Sequence, residues 1–311
     1  MPETADRWLV AAWPGLGQVA TTAAVYLLAK LRMHQVAEFS ARGLFELDRV
    51  DITRGLLRAG RLPRSRLFLW RNPAGGRDIV VFLGEAQPPA GKLELCQRLM
   101  AEAKSLNVGR VFTFSALVAD MEPSSRSRTQ GVASDAGALE ELKRREVAIL
   151  AEGAITGLNG VALAAAAEAG LPAVGLLGEV PAAAPQLPCP NASASVLRVF
   201  KEMAGLDLDL GELEEYGLAM QTQLTSIYEQ VKKALHPTGA PPTEPPPETA
   251  HHVEPPKKVL ADEDAESLET LFRLARADRS KAFELKRQLD RLGVFPLYED
   301  RFLDLFENRP E

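Results

Sequence analysis

Near the start of the chain, an apolar strand pattern turns sharply into a helical pattern. Residues 8–13 (WLVAAW) form a short apolar run without helical period, as in a buried strand. The turn PGLG at 14–17 follows, and a regular element cannot continue through it. Residues 18–31 are rich in alanine and leucine, and Lys30 and Arg32 are typical of a helix C-terminus. Strand, glycine turn and helix together predict the first half of an α/β unit.

The glycine turn matches the spacing of a dinucleotide-binding fingerprint. Gly15, Gly17 and Ala20 give the pattern G-x-G-x-x-A between a predicted strand and a predicted helix. Glu38, in the next predicted strand, lies at about the distance expected of a ribose-binding acid. Glycines are also needed wherever a strand turns tightly into a helix, and Pro14 removes a backbone donor that a pyrophosphate would use. We therefore favour a structural turn, with nucleotide binding as the alternative.

Length and charge narrow the class of protein. The chain has 311 residues, 46% of them hydrophobic, which is enough for one large α/β domain and an appendage. A formal charge of −6 argues against a general nucleic-acid or anionic-membrane binder. The two cysteines, Cys96 and Cys189, lack metal-ligand spacing, and neither a leader pattern nor a membrane-spanning apolar run is evident. We expect a soluble, cytoplasmic protein that needs no metal or cofactor.

Strand patterns alternate with helical patterns as far as residue 235. Two β-type runs flank the turn at 72–76, which predicts a β-hairpin. The predicted strands are 35–39, a further strand region within 39–52, 67–71, 78–83, 111–117, 131–134, 148–150 and 172–177. The predicted helices are 91–106, 135–144, 161–169, 193–204 and 210–235, and a basic connector ends at Pro63. This alternation predicts a three-layer α/β fold whose mostly parallel sheet carries helices on both faces.

Composition changes abruptly at residue 236. Residues 236–258 are rich in proline and acidic residues without an apolar period, which predicts an extended, solvated linker. Helical period returns at 262–292, and a short tail segment follows at 295–306. The predicted division is an α/β domain at 1–235, the linker at 236–258, and a C-terminal helical hairpin within 259–311. The hairpin is too short to be very stable alone, so we expect it to dock, for example on a neighbouring subunit.

Polar residues stand where an α/β fold would bind a ligand. Glu85 and Gln87 directly follow a predicted strand, at the edge of the sheet where such folds bind ligands. Capping of the next helix, or bonding to loop backbone, is the alternative for both. Thr156 and Asn159 precede a predicted helix, where they would either hold an anion or act as its N-cap.

One further acid completes this candidate crevice. Glu179 follows the last predicted strand, as either a buried partner of the glycine turn or an exposed loop acid. No catalytic residue is assigned, because Ser115 lacks the G-x-S-x-G elbow and no histidine has a companion at catalytic spacing. The candidate ligand crevice consists of Pro14, Gly15, Gly17, Glu85, Gln87, Thr156, Asn159 and Glu179.

Four motifs occur in order along the predicted α/β domain. They are WPGLG at 13–17, GEAQP at 84–88, GAITGLNG at 153–160 and LGEVP at 177–181. With these motifs, residues 8–235 resemble the PAC2 family, the proteasome assembly chaperone 2-like proteins of bacteria and archaea. The resemblance implies a three-layer α/β fold akin to nucleoside phosphorylases and peptidyl-tRNA hydrolases. It also implies self-association and help with proteasome α-ring assembly by binding, without a chemical reaction.

The C-terminus departs from one pattern of that family. Archaeal relatives that contact the proteasome can end in a hydrophobic–Tyr–any tripeptide, whereas residues 308–311 read NRPE. The segment LYE at 297–299 has the pattern but is internal and lacks a free carboxylate. Docking of the tail on a proteasome ring is therefore not expected.

Three functions are compatible with the sequence. A non-catalytic, homo-oligomeric interaction protein ranks first, with proteasome subunits or another protein as partner. A small-ligand or nucleotide-binding protein that uses the Gly15–Gly17 turn ranks second. A hydrolase or transferase on a phosphorylase-like scaffold ranks third, and it predicts that substitution of Glu85 abolishes turnover. Fold likeness alone does not carry chemistry, which is why the catalytic alternative ranks last.

Overall fold

Buried apolar strands form one large sheet, and two short strands form a separate ribbon. A computed structural model describes residues 6–47, 50–53, 55–235 and 261–307. The linker predicted at 236–258 therefore lies outside the described residues. The strands are β1 (Arg7–Ala12), β2 (His34–Phe39), β3 (Val50–Thr53), β4 (Leu56–Ala59), β5 (Ser65–Trp70), β6 (Asp78–Gly84), β7 (Val108–Ala119), β8 (Thr129–Ala133), β9 (Ala148–Ile149) and β10 (Ala173–Pro181).

The large sheet has a parallel centre and antiparallel strand pairs on either side of it. Its strand order is β2-β5-β6-β1-β7-β10-β8-β9. Neighbours within β6-β1-β7-β10 are parallel, so Val10 pairs with both Val81 and Phe112. Strands β5 and β6 pair antiparallel across a tight turn, which confirms the predicted hairpin. The carboxyl ends of β1 and β6 consequently meet at one edge, with the glycine turn directly after β1.

Helices cover both faces of the sheet. They are α1 (Val19–Lys30), α2 (Lys92–Ser105), α3 (Ala136–Arg144), α4 (Leu158–Glu168), α5 (Pro190–Ala204), α6 (Gly211–Leu235), α7 (Asp262–Ala277), α8 (Ala282–Leu292) and α9 (Phe295–Leu303). Successive side chains of β1 alternate between the faces: Trp8 and Val10 pack with α1 and α5, whereas Leu9 and Ala11 pack with α2 and α4. The three-layer, mostly parallel α/β architecture predicted from the sequence is thus confirmed.

The C-terminal helices pack on the α/β part of the same chain. Helices α7 and α8 form the hairpin, and α9 with the turn after it forms the tail. The Phe283 ring meets Tyr26 of α1 edge-on, with centroids 4.6 Å apart. The Phe306 ring approaches Phe68 of β5 in the same way, at 6.2 Å. These apolar residues were visible in the sequence, but the surface that they cover was not.

Three predicted elements have different bounds in the structure. The predicted connector before Pro63 contains β4, whose leucines Leu56 and Leu57 are exposed and lack the apolar–polar alternation of a half-buried strand. Strand β10 continues to Pro181 through the LGEVP motif, where a loop was predicted, since pairing with β7 extends along that motif. Helix α4 begins at Leu158, so Asn159 lies inside the helix and is not its N-cap. The LGEVP motif therefore lies in β10, and the end of the GAITGLNG motif lies in α4.

Candidate functional site

The side chain of Gln87 joins three parts of the predicted crevice. Its Nε2 donates a 2.7 Å hydrogen bond to the carbonyl of Pro14, in the turn after β1. Its Oε1 accepts a 3.0 Å hydrogen bond from the backbone N–H of Leu158, at the start of α4. The carboxamide thus satisfies one of the free N–H groups of a helix terminus from a distant loop. Gln87 therefore holds together the turn after β1, the loop after β6 and the start of α4. We call this set of contacts the Gln87 joint.

Glycines in two of the motifs make room for this joint. A Cβ on Gly157 would lie 2.8 Å from Oε1 of Gln87, and the residue has a φ of +74°. A Cβ on Gly84 would lie 2.5 Å from Cδ1 of Trp13, whose indole is fully buried. Side chains larger than hydrogen are therefore excluded at both positions, and the motif glycines have a packing role.

Two backbone donors at the glycine turn, the N–H groups of Gly17 and Gln18, are used within the chain. The N–H of Gly17 donates to the carbonyl of Pro185 at 2.8 Å, and the N–H of Gln18 donates to the carbonyl of Gly15 at 3.1 Å. The carbonyl of Gly17 in turn accepts from the N–H of Cys189 at 2.8 Å. A pyrophosphate on a helix N-terminus needs such N–H groups free. The geometry accordingly favours the structural interpretation of the fingerprint.

Asn159 and Trp13 leave one acceptor and one donor unused beside the joint. Asn159 is 6% exposed, and its Oδ1 makes no hydrogen bond within the described residues. The same holds for Nε1 of the buried Trp13. The amide of Asn159 faces the Gly15 position, where an added Cβ would lie 3.8 Å from its Nδ2. Beside Gln87, these two atoms have hydrogen-bonding capacity to spare, and Oε1 of Glu85 is a third buried atom of the predicted crevice that accepts no hydrogen bond within the described residues.

Glu85 belongs to a different cluster from Gln87, although only one residue separates them. Its Oε2 accepts hydrogen bonds from Nη1 of Arg61 at 2.6 Å and from the backbone N–H of Arg64 at 2.8 Å. Its Oε1 lies 3.5 Å from Nη2 of Arg66, which is fully buried. The Glu85 side chain is only 4% exposed, so its carboxylate contacts these arginines and very little solvent. Glu85 is thereby engaged in an ionic cluster and not free for a ligand.

The C-terminal segment supplies the other half of that cluster. Nη2 of Arg66 donates to Asp300 of α9 at 2.8 Å. Arg64 donates to both carboxylate oxygens of Glu38 and to Asp304 at 3.3 Å. An isolated buried guanidinium would be costly, so these acids are what allows Arg66 to lie inside. The network fastens the C-terminal segment to β5 and to the loop that precedes it.

Burial and surplus negative charge alter protonation in the cluster. Burial, followed by repulsion from Glu85, raises the pKa of Glu299 to about 7. Burial also lowers the pKa of Arg66, and the nearby Arg64 adds to this effect. Hydrogen bonding to Arg64 holds the pKa of Glu38 below its usual range. Glu299 is therefore a group whose charge changes near neutral pH.

The remaining candidates lie apart from the Gln87 joint. Thr156 is exposed in the loop before α4. Glu179 is part of β10, where its Oε1 accepts a 3.1 Å hydrogen bond from Nε2 of Gln130. The structure thus brings together Pro14, Gly15, Gln87 and Asn159, and it places Glu85 and Glu179 in separate contacts. The arginine side of the Glu85 cluster is not predicted from the sequence, although three arginines within six residues around a strand start, 61, 64 and 66, are a visible signal.

The β3–β4 ribbon is the most exposed apolar feature among the described elements. Val50 and Ile52 are two residues apart in β3, and Ile52 pairs with Leu57 of β4, so these three side chains share one face. Ile52 is 66% exposed and Leu57 is 73% exposed. Two-stranded ribbons are marginally stable unless an apolar face is covered. This face is consequently a candidate interaction surface.

Neither a metal site nor a membrane-spanning helix is found in the described ranges. No group of three or more His, Cys, Asp or Glu side chains there could hold a metal ion. Among the helices of the same ranges, none combines the length and the apolar character needed to cross a bilayer.

Comparisons with known proteins place the chain in a family. The model of the PAC2 family matches residues 9–227. The proteasome-assembly chaperone homologue of Mycobacterium tuberculosis is 25% identical, with a TM-score of 0.61 over 70% of this chain and 94% of its own. A PAC2 family protein of Streptomyces avermitilis is also 25% identical, with a TM-score of 0.63 over 74% of this chain and 100% of its own.

A third solved structure extends the fold likeness to archaea. The archaeal proteasome activator of Pyrococcus furiosus is 20% identical, with a TM-score of 0.61 over 75% of this chain and 96% of its own. No match was found among curated proteins. The family match covers the α/β part, including the Gln87 joint, and ends before the C-terminal helices. The chain therefore belongs to the PAC2 family.

Proposed function

We propose that this protein is a cytoplasmic, self-associating interaction protein that assists the assembly of other proteins and catalyses no reaction. The exposed apolar face of the β3–β4 ribbon is the observation that carries the proposal. The family likeness supports it, because one relative of similar fold is named a proteasome-assembly chaperone homologue. The state of the crevice supports it too, since the Gln87 carboxamide, Oε2 of Glu85 and the N–H groups of Gly17 and Gln18 are already bonded within the chain.

The ribbon has the physical properties of an interface between copies. Exposing an apolar face of a strand pair to water is unfavourable. Burying it contributes about 25 cal/mol of free energy for each Å² of apolar surface removed from water. The outer edges of an isolated ribbon also present backbone groups that another strand can pair with. A second copy of the chain offers the same apolar face, so two ribbons stacked face to face would bury both. Self-association through β3 and β4 follows.

Light scattering after size exclusion tests the self-association. The double variant Ile52→Lys with Leu57→Lys places two charges on the apolar face, so its mass should fall to that of a monomer at a concentration where the parent chain is a dimer or larger. The matched control is Leu93→Lys with Leu297→Lys, which changes two exposed leucines on helices by the same charge. The control should keep the parent mass. A monomeric parent chain, or equal loss in both variants, would contradict the proposal.

Affinity capture from a lysate of the source cells tests the partner. With the parent chain as bait, we expect stoichiometric recovery of a defined protein, and proteasome subunits are the first class to examine. The Ile52→Lys and Leu57→Lys variant separates capture that depends on self-association from capture that does not. If no protein is retained above the level of an unrelated bait, and a nucleotide raises the melting temperature, the ligand-binding alternative replaces the proposal.

A further inference from the structure

A broad groove lies between α6 and the C-terminal hairpin, away from the crevice and the ribbon. It has a volume of about 1060 Å³. One wall is a face of α6 that runs from Glu212 through Tyr216 to Gln223. The facing wall runs along α7 from Glu263 to Leu271, and α8 contributes residues between Glu284 and Arg291. At 1.5 Å per residue, the α6 wall is roughly 16 Å long, or about three helical turns.

The floor of the groove is apolar. Tyr216 is buried, Met220 and Leu271 are half-buried, and all three line the groove. Ala219 of α6 lies beside them and is exposed, so this wall presents little bulk to an incoming side chain. Residues 212, 216, 219, 220 and 223 recur at helical spacing, which gives one continuous stripe on α6. The groove therefore has the length and shape of a site for a helical segment of about ten residues.

Negative charge predominates on the walls. Five acids, Glu212, Glu263, Glu266, Glu284 and Asp290, line the groove together with two arginines, Arg287 and Arg291.

Most of the lining charges already have a partner. Both oxygens of Asp290 accept hydrogen bonds from Nζ of Lys286 at 2.6 Å, and Glu212 pairs with Lys30. Arg291 lies 3.9 Å from Asp264, and Arg287 stacks 5.4 Å from the Tyr216 ring. Glu263 and Glu266 are exposed and form no ion pair within the described part of the chain. The α7 wall is thus the uncompensated acidic side of the groove.

We propose that this groove binds a basic amphipathic helix of a partner protein. Its apolar side chains would contact Met220 and Leu271, and its lysines or arginines would pair with Glu263 and Glu266. Charge complementarity selects this occupant, because an acidic or neutral helix would leave both carboxylates unpaired. A small molecule fits less well, since ligand pockets enclose most of the ligand and this groove is open along its length. The inference concerns a surface distinct from the ribbon and does not depend on self-association.

Fluorescence anisotropy with a labelled model helix tests the groove. The probe is a 14-residue amphipathic peptide of leucine and lysine, and the comparison peptide has the same composition with the amphipathic order scrambled. We expect saturable binding of the first peptide and at least tenfold weaker binding of the second, because only the first presents apolar and basic faces together. Equal binding of the two peptides would overturn the proposal, since bulk charge alone would then explain it.

Three variants locate the peptide-binding site on the protein. Glu263→Lys with Glu266→Lys should raise the Kd for the amphipathic peptide at least tenfold. The matched control, Glu94→Lys with Glu168→Lys, makes the same change in net charge at exposed helix positions elsewhere and should leave the Kd within twofold. A third variant, Ala219→Trp, fills the groove without a change in charge and should also weaken binding tenfold. Equal effects of the first variant and its control would overturn the proposal.

The same variants distinguish a second copy of the chain as the occupant. If Glu263→Lys with Glu266→Lys lowers the mass in light scattering, the groove is a contact between copies and the proposal of a basic partner helix is wrong. If the mass is unchanged and peptide binding is lost, the proposal stands whether or not the ribbon variant dissociates the oligomer.

Discussion

The Gln87 joint and the β3–β4 ribbon differ in where their unsatisfied groups lie. At the joint, the carboxamide of Gln87 bonds the Pro14 carbonyl and the Leu158 N–H, and the unpaired atoms, Oδ1 of Asn159 and Nε1 of Trp13, are buried. On the ribbon, Ile52 and Leu57 stand in solvent. Motif residues that resemble a ligand site thus serve the fold, whereas a segment that resembled a basic connector offers a surface for binding. This difference is the basis of our proposal that the protein functions through its surfaces and not through the crevice.

The largest loss of stability is expected on substitution of Glu85, the residue that the catalytic alternative requires for turnover. Glu85→Ala should lower the free energy of unfolding by about 3 kcal/mol, because it removes an acid that compensates the fully buried Arg66. Urea denaturation measures the change, and Glu94→Ala on the exposed face of α2 is the control, expected within about 0.5 kcal/mol. A Glu85→Ala protein as stable as its parent would assign Glu85 to a site and not to the fold.

Removal of the joint should have the next largest effect. Gln87→Ala is expected to cost about 2 kcal/mol, since it leaves the Pro14 carbonyl and the Leu158 N–H without their partner. The exposed Gln97→Ala on α2 is the control in the same denaturation experiment. If Gln87→Ala were as stable as the parent but were no longer stabilised by an added nucleotide, Gln87 would belong to a ligand site. The contrast between the joint and the ribbon would then be wrong.

Protonation of Glu299 should make stability depend on pH. Its pKa of about 7 in the folded state is raised above the value in the unfolded chain, so the folded state binds more protons between the two values. The free energy of unfolding should fall as pH rises through 7, and the contribution is fully present only at pH values below the unfolded pKa.

The variant Glu299→Gln removes this titration. At pH 8 it should be more stable than the parent by about 1 kcal/mol, a value discounted for partial solvent screening, and the slope between pH 5 and 8 should flatten. Glu266→Gln on the exposed face of α7 is the control and should keep the parent slope. An unchanged slope in Glu299→Gln would show that the C-terminal cluster does not titrate near neutral pH.

Substitutions on the ribbon should have the smallest effect on stability. Ile52→Ser and Leu57→Ser are expected within about 0.5 kcal/mol of the parent in dilute solution, because both side chains are already in water in the single chain. Thermal unfolding at micromolar concentration measures this. A cost above 2 kcal/mol in the monomer would show that the ribbon packs within the chain, and the surface role would be lost.

Local sequence patterns predict much of the fold. Most features that they do not predict depend on contacts between residues far apart in the sequence. The strand, turn and helix at 8–31 and the β5–β6 hairpin depend on neighbouring residues, so periodicity and turn chemistry predict them. The pairing of Arg66 in β5 with Asp300 in α9 joins residues 234 positions apart, and no spacing rule reports such a contact. The same reason explains why the sequence left the docking surface of the C-terminal hairpin open.

Side-chain direction limited the prediction of the site. Glu85 and Gln87 were grouped because they follow the same strand, yet their side chains enter different clusters. Asn159 was assigned an N-cap alternative because α4 was expected to begin later, and Gly157 occupies the cap position. Strand β4 was missed because its apolar residues are exposed, so it lacks the buried alternation that marks strands in a sequence. An exposed two-stranded ribbon therefore gives only a weak signal in the sequence.

Amide hydrogen exchange as a function of protein concentration compares the two regions in one experiment. The N–H groups of Leu158 and Gly17 should be protected at every concentration and unaffected by added nucleotide, because they bond within the chain. The amides of β3 and β4 should exchange rapidly in dilute solution and become protected as the mass of the protein increases. Rapid exchange of the ribbon at all concentrations, with new protection of the glycine turn on addition of nucleotide, would contradict the assignment of function to surfaces.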